Sequence, residues 1–193
     1  MLPHFRIDHV VNFYRTTDSN RRVQELTADS IRRAAASVRN VRLLAVVSKK
    51  EADAVPISFK GLPRLERTVA DVKHFASPRP FPLLFDILTC GAAIAKPNSY
   101  LVFTNSDICV LPSFYSSVRS LLARGVDCLI INRRTVAPLE AYGGAPEIAA
   151  LEVGSAHPGL DCFVFPAAWV PQFVGSHACV GVGYVSDPCS LTL

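Results

Sequence analysis

The chain has 193 residues, 50% of them hydrophobic and 19% charged, with a formal net charge of +4. A charged share below the usual quarter or so excludes an intrinsically disordered chain, and this length lets one domain bury roughly 70% of its unfolded surface. The basic side chains Arg21, Arg22, Arg32, Arg33, Arg39, Arg42, Lys49 and Lys50 crowd the first third, which suits an anionic ligand. They are spread along a predicted helix and its flanks with few aromatics interleaved, so nucleic-acid binding is not expected.

The first element is the β-prone run Val10 to Tyr14, closed by the polar stretch Thr16 to Asn20. Ala28, Ile31, Ala35 and Val38 recur at three- and four-residue spacing, the pattern of an amphipathic helix lying on a sheet. Val41 to Val47 is a nearly all-apolar second strand. A proline-rich entry, Ser77 to Pro82, leads into a helix marked by Phe85, Leu88, Ala92 and Ala95, and Tyr100 to Thr104 is the strand after it. Leu111-Pro112-Ser113 starts a helix through Phe114, Val118 and Leu121, and Val126 to Asn132 is predicted as a further buried strand. Val136 to Gly159, rich in Ala, Pro and Gly, is a candidate substrate loop with room for one short helical turn. Cys162 to Phe165 closes the series as a late strand, followed by a short helix around Ala168 to Phe173.

Continuous apolar strands alternating with helices predict a three-layer α/β/α, Rossmann-like arrangement with a mostly parallel central sheet, because helical crossovers shield both faces. The absence of repeats and linkers predicts a single domain over residues 1–193. The longest apolar stretches, such as Cys162 to Val170, are broken by prolines well short of the ~20 residues of a membrane helix. The opening Met1 to Arg6 lacks the pattern of a secretory signal, so a cytoplasmic chain with no transmembrane segment is expected. Six cysteines without Cys-x-x-Cys spacing read as reduced thiols inside apolar runs.

Ligands of open α/β sheets bind beyond the carboxyl ends of the strands, so polar residues directly after apolar runs are the candidates for chemistry. Asn105-Ser106-Asp107 follows Tyr100 to Thr104, and in extended backbone Asn105 and Asp107 would share a side. Asp107, helped by Asn105, is a candidate ligand for a hard divalent cation bound to a diphosphate; the same three residues also suit a turn into the next helix. His157-Pro158-Gly159-Leu160-Asp161 supplies a candidate general base, Asp161, with His157 as a nearby hydrogen-bond donor, although a His in a Pro-Gly turn is also a common structural feature. Trp169 reads as a core residue or a sugar platform. Tyr14, Arg79 and Asp86 are candidate contacts to phosphate, ribose or sugar, and Asp86 equally suits a helix cap or an ion pair.

On these residues the chain resembles the nucleotide-diphospho-sugar transferase superfamily, the glycosyltransferases with the GT-A fold. The likeness runs from about Val10 to Val174. It rests on Phe103-Thr104-Asn105-Ser106-Asp107-Ile108 at the place of the family's Asp-x-Asp motif, on Pro112-Ser113-Phe114-Tyr115 after it, and on His157 to Pro166. The resemblance implies a nucleotide-diphosphate sugar as donor over the carboxyl edge of the sheet and an acceptor hydroxyl compound facing Asp161. It also implies Mn²⁺ or Mg²⁺ between Asp107 and the diphosphate. Asn105 departs from the first Asp of the motif and removes one charge, and catalytic domains of this fold usually run longer. The alternative is therefore an inactive or partial nucleotide- or carbohydrate-binding protein of the same fold. A sugar-phosphate nucleotidyltransferase would carry a glycine-rich phosphate loop after the first strand, and Tyr14 to Asn20 contains no glycine.

Overall fold

The computed structural model describes residues 5–71, 81–136 and 146–173. In chain order its main elements are β1 (Arg6–Asn12), α1 (Asp18–Ala36), β2 (Val41–Val46), β3 (Lys60–Gly61), α2 (Leu84–Ala92), β4 (Ser99–Thr104), α3 (Phe114–Ala123), β5 (Leu129–Thr135), α4 (Pro146–Val153) and β6 (Ser155–Pro166). A 3-10 segment, Ala167–Phe173, follows. The strands form one six-stranded sheet in the order β3-β2-β1-β4-β6-β5. β3, β2, β1 and β4 run parallel, while β6 pairs antiparallel with both β4 and β5.

The central strands β1 and β4 are largely apolar on both sides because both sides are covered, as expected for parallel strands joined by helical crossovers. Alternate residues of β1 divide between two cores. Ile7 and Val11 pack with Ala28 and Ile31 of α1 and Val118 of α3, whereas Val10 packs with Ile87 and Leu88 of α2 and with Val170. Helix α2 lies close on β1, where a Cβ built on Gly91 would sit 2.6 Å from a methyl of Val10. Trp169 packs against this second core, so its ring serves the interior.

Three polar residues of β1 are buried and paired, of which Asn12 donates to the Val46 carbonyl at 2.9 Å. Asp8 is gripped by Arg42 through two bonds of 2.6 and 2.9 Å, and the same guanidinium donates to the Ile94 carbonyl. His9 lies between Tyr115 Oη at 2.6 Å and Thr104 Oγ1 at 2.9 Å, tying β1 to α3 and β4. Full burial pushes its pKa down to about 3, so the ring is neutral at ordinary pH.

The structure corrects several local expectations. Val126 to Asn132 is not a buried strand: β5 begins at Leu129, forms the edge of the sheet, and leaves Ile130 52% exposed. An edge strand has a neighbour on one side and, at Ile130, no helix over its face, which a run of apolar residues does not reveal. The expected loop from Val136 to Gly159 contains helix α4 and the first residues of β6, and its residues 137–145 lie outside the described residues. The arginines of the first third are spent largely on ion pairs: Arg21 with Asp18, Arg22 with Glu25, Arg32 with Asp29, and Arg33 with Glu147. Among the described residues, no helix is long and apolar enough to cross a membrane. Cys90, Cys109, Cys128 and Cys162 are free thiols.

Candidate functional site

The carboxyl ends of β1, β4 and β5 lie along one edge of the sheet, and antiparallel β6 begins there. Asn105 and Asp107 leave β4 in a turn closed by a hydrogen bond from the Ile108 amide to the Asn105 carbonyl. The extended backbone therefore does not continue, and the turn takes the two side chains to different partners. The Asn105 amide donates to Asp161 Oδ1 at 3.4 Å, while Asp107 lies 3.6 Å from Arg133 Nη1.

His157 and Asp161 come from an irregular part of the β5–β6 ladder. Ile131 stands opposite Cys162 and Asn132 opposite Leu160, so Asp161 is an extra residue on β6. Arg134 then stands opposite Ala156, leaving His157, Pro158 and Gly159 to face Arg133 alone. Bulges of this kind release a residue from the ladder and re-aim its side chain. The Pro158-Gly159 pair, poor at sustaining a ladder, marks the place. A Cβ on Gly159 would lie 2.8 Å from the His157 ring and 3.1 Å from Asp161 Oδ2, so the absence of a side chain there lets the two residues meet.

The result is a five-residue cluster. Arg133 Nε is 3.3 Å from Asp161 Oδ2, Arg133 Nη2 is 3.0 Å from His157 Nε2, and His157 Nδ1 is 3.8 Å from Asp161 Oδ2. The Gly159 amide donates to His157 Nδ1 at 2.8 Å. Asp161 is sunk into the fold with its side chain 11% exposed, whereas that of Asp107 is 54% exposed and open to a ligand. Neighbouring Cys162 is no nucleophile, since burial and the Asp161 charge push its thiol up to about 12.

The cluster joins four of the residues singled out from sequence, Asn105, Asp107, His157 and Asp161, and adds Arg133. That arginine comes one residue after the polar Asn132 that closes the apolar run Leu129 to Ile131, and so meets the criterion that selects Asp107; the signal was present. Tyr14 stands at the same sheet edge after β1, with its backbone latched to the Gln24 side chain. Asp86 accepts two bonds of 2.7 Å from Arg67 at the start of α2, so its carboxylate is engaged in the ion pair that its sequence context also allows. Arg79 lies outside the described residues. At the opposite, amino edge lies a groove lined by Phe5, Ala95, Pro97, Tyr100, Pro166 and Pro171, where Lys96 is the one charged lining residue among the described residues.

A divalent cation fits these side chains poorly. Among the described residues, no three His, Cys, Asp or Glu side chains gather to hold one. The space between the two carboxylates of the cluster holds the Arg133 guanidinium, and Asn105 turns a donor, not an acceptor, toward Asp161.

No protein-family model and no curated protein sequence matches the chain. Among solved structures, it is similar to the 4-diphosphocytidyl-2C-methyl-D-erythritol synthase of Anaerococcus prevotii. The TM-score is 0.52 at 10% sequence identity, over 95% of this chain and 79% of that one. The likeness is one of fold. It establishes a Rossmann-like α/β sheet of the kind seen in that synthase, and the chemistry must be argued from the cluster itself.

Proposed function

We propose that the chain is a nucleotide-sugar glycosyltransferase whose donor diphosphate lies at Arg133, beside Asp107, and whose acceptor hydroxyl faces Asp161. The observation that carries the reading is the convergence of a proton acceptor and an imidazole from β6, a guanidinium from β5 and the Asp107 carboxylate from the turn after β4 at the carboxyl edge, where ligands of this sheet architecture bind. In the proposed step the acceptor oxygen forms a bond to the anomeric carbon of the donor sugar. The bond from that carbon to the diphosphate oxygen breaks, and its electron pair leaves with the nucleoside diphosphate. The hydroxyl proton passes to the Asp161 carboxylate, as general base catalysis requires, and the charge developing on the departing diphosphate faces Arg133. The resemblance around Asn105-Ser106-Asp107 supports sugar transfer over other uses of the same fold.

One observation favours a second reading, a nucleotide-binding protein without turnover: Asn105 stands where the family motif has its first carboxylate. The two readings are separated by incubating the protein with uridine, guanosine and cytidine diphosphate sugars and a mixture of hydroxyl acceptors. Release of nucleoside diphosphate with formation of a glycoside supports transfer. Binding without release leaves the second reading, and no binding of any donor sinks both.

A further inference from the structure

We infer that Arg133 takes the part that a divalent cation plays in diphosphate chemistry: its guanidinium is the built-in charge that receives the ligand's diphosphate, and binding needs no metal ion. The inference rests on the proposed reading of the cluster as a diphosphate site.

The contrast with three paired arginines, together with the place of Arg133 at the carboxyl edge, carries it; Arg6 and Arg119 also bury an Nε without a hydrogen-bond partner, but they do so at the amino end of β1. Arg42 holds Asp8 with bonds of 2.6 and 2.9 Å, Arg67 holds Asp86 with two of 2.7 Å, and Arg15 holds Asp53 with bonds of 2.8 and 2.9 Å. Each is the two-pronged pairing that a planar guanidinium makes with two oxygens. Arg133 has two carboxylates within reach and pairs two-pronged with neither, standing 3.3 Å from Asp161 and 3.6 Å from Asp107. Its buried Nε makes no hydrogen bond, and nor does Asp161 Oδ2.

The closest contact of Arg133, to His157 Nε2, is itself contested. A neutral imidazole has one lone pair to offer, and two donors approach this ring: Arg133 at Nε2 and the Gly159 amide at Nδ1. In either tautomer one ring N–H faces a donor, and a protonated ring accepts from neither. The fork of Arg133 is thus under-used in every protonation state of His157. A phosphate group presents two oxygens in the spacing a guanidinium matches, and Arg133, with its side chain 28% exposed at the ligand edge of the sheet, can turn toward it. A divalent ion on Asp107 would instead sit against this positive charge.

The test is calorimetric titration with inorganic pyrophosphate and with uridine, cytidine and guanosine diphosphates, once in EDTA and once with excess Mn²⁺. The proteins are the wild type, Arg133→Gln, Arg133→Lys and Asp107→Asn. The expected result is binding in EDTA that weakens about tenfold or more in Arg133→Gln and by less in Arg133→Lys, which keeps the charge and loses the fork. Asp107→Asn should bind severalfold tighter, because it removes a carboxylate that competes for the guanidinium. A metal site demands the opposite sign for Asp107→Asn, and that side chain is exposed enough for its substitution to leave the fold intact. Binding seen only with Mn²⁺ and weakened in Asp107→Asn overturns the inference while leaving the diphosphate reading in place. Pyrophosphate binding through Arg133 with no nucleotide bound better sustains the inference and counts against the nucleotide-sugar reading. No binding by any probe in either medium overturns both.

Discussion

Arg133 reaches Asp161 across the point where β6 carries a residue more than β5, with Nε 3.3 Å from Oδ2. The two residues belong to strands that pair through an interrupted ladder, and the interruption frees the carboxylate from its place beside Ile131 and Asn132. If Asp161 accepts the acceptor's proton, Asp161→Asn keeps the shape and the contact with Asn105 but loses the basic oxygen. Transfer should fall by roughly 10²- to 10⁴-fold with donor binding changed much less. Initial rates alongside donor titration check this, and an unchanged turnover removes Asp161 from the chemistry.

Gly159→Ala should damage the site more than the fold. The new methyl meets the His157 ring at 2.8 Å and Asp161 Oδ2 at 3.1 Å, and both are side-chain atoms that can be pushed aside. Displacing them moves the imidazole off Arg133 and the carboxylate off Asn105. The expectation is a fall in transfer of about tenfold, from displacement of the Asp161 carboxylate, with the thermal midpoint nearly unchanged. A large drop in midpoint with intact transfer in the folded protein would assign the glycine to folding instead.

Gly91→Ala should do the reverse. Its methyl would sit 2.6 Å from a Val10 methyl in the middle of the sheet, and Val10, β-branched and buried, has no room to yield. Overpacking of this kind costs about 1–3 kcal/mol, or roughly 2–4 °C of midpoint per kcal/mol in a chain of this size. Calorimetric melting measures it, and ligand affinity of the folded protein should be retained.

His9 predicts an acid limb of stability. Its pKa is about 3 in the fold, against 6.5 for the unperturbed group, because burial excludes the charged ring. The unfolded chain therefore binds the extra proton between those values, so the stabilisation is complete above about pH 6.5 and is lost as pH falls toward 3. The slope from one such proton is about 1.4 kcal/mol per pH unit. Asp53 and Asp71, lowered by Arg15 and by hydrogen bonds from Thr68 respectively, act further down the scale. His9→Gln retains a donor and an acceptor for Tyr115 and Thr104, and it should flatten the wild-type decline between pH 6 and 4 in urea unfolding. Parallel curves for the two proteins would exclude the assignment.

Much of the architecture was legible in the chain. The spacing of Ala28 and Ile31 placed α1 over the sheet, the apolar runs at Val41 and Tyr100 marked β2 and β4, and the change from apolar to polar at Thr104 pointed to Asn105 and Asp107. These are local properties: hydrophobic periodicity reports which side of a segment is buried, and strand ends next to polar residues report where a sheet stops. His157 and Asp161 were visible as reactive residue types beside a Pro-Gly pair, but not as a pair held against Arg133.

What only the tertiary structure decided is the pairing of β6. Its antiparallel entry between β4 and β5 puts residues of a late segment beside the end of β4, and the mismatch in length between β5 and β6 produces the bulges that aim His157 and Asp161 at Arg133. Neither the partner of a strand nor its register is written in the strand's own alternation, because every apolar strand satisfies the same two-residue period. Those choices are made by long-range contacts, and here they gather the site.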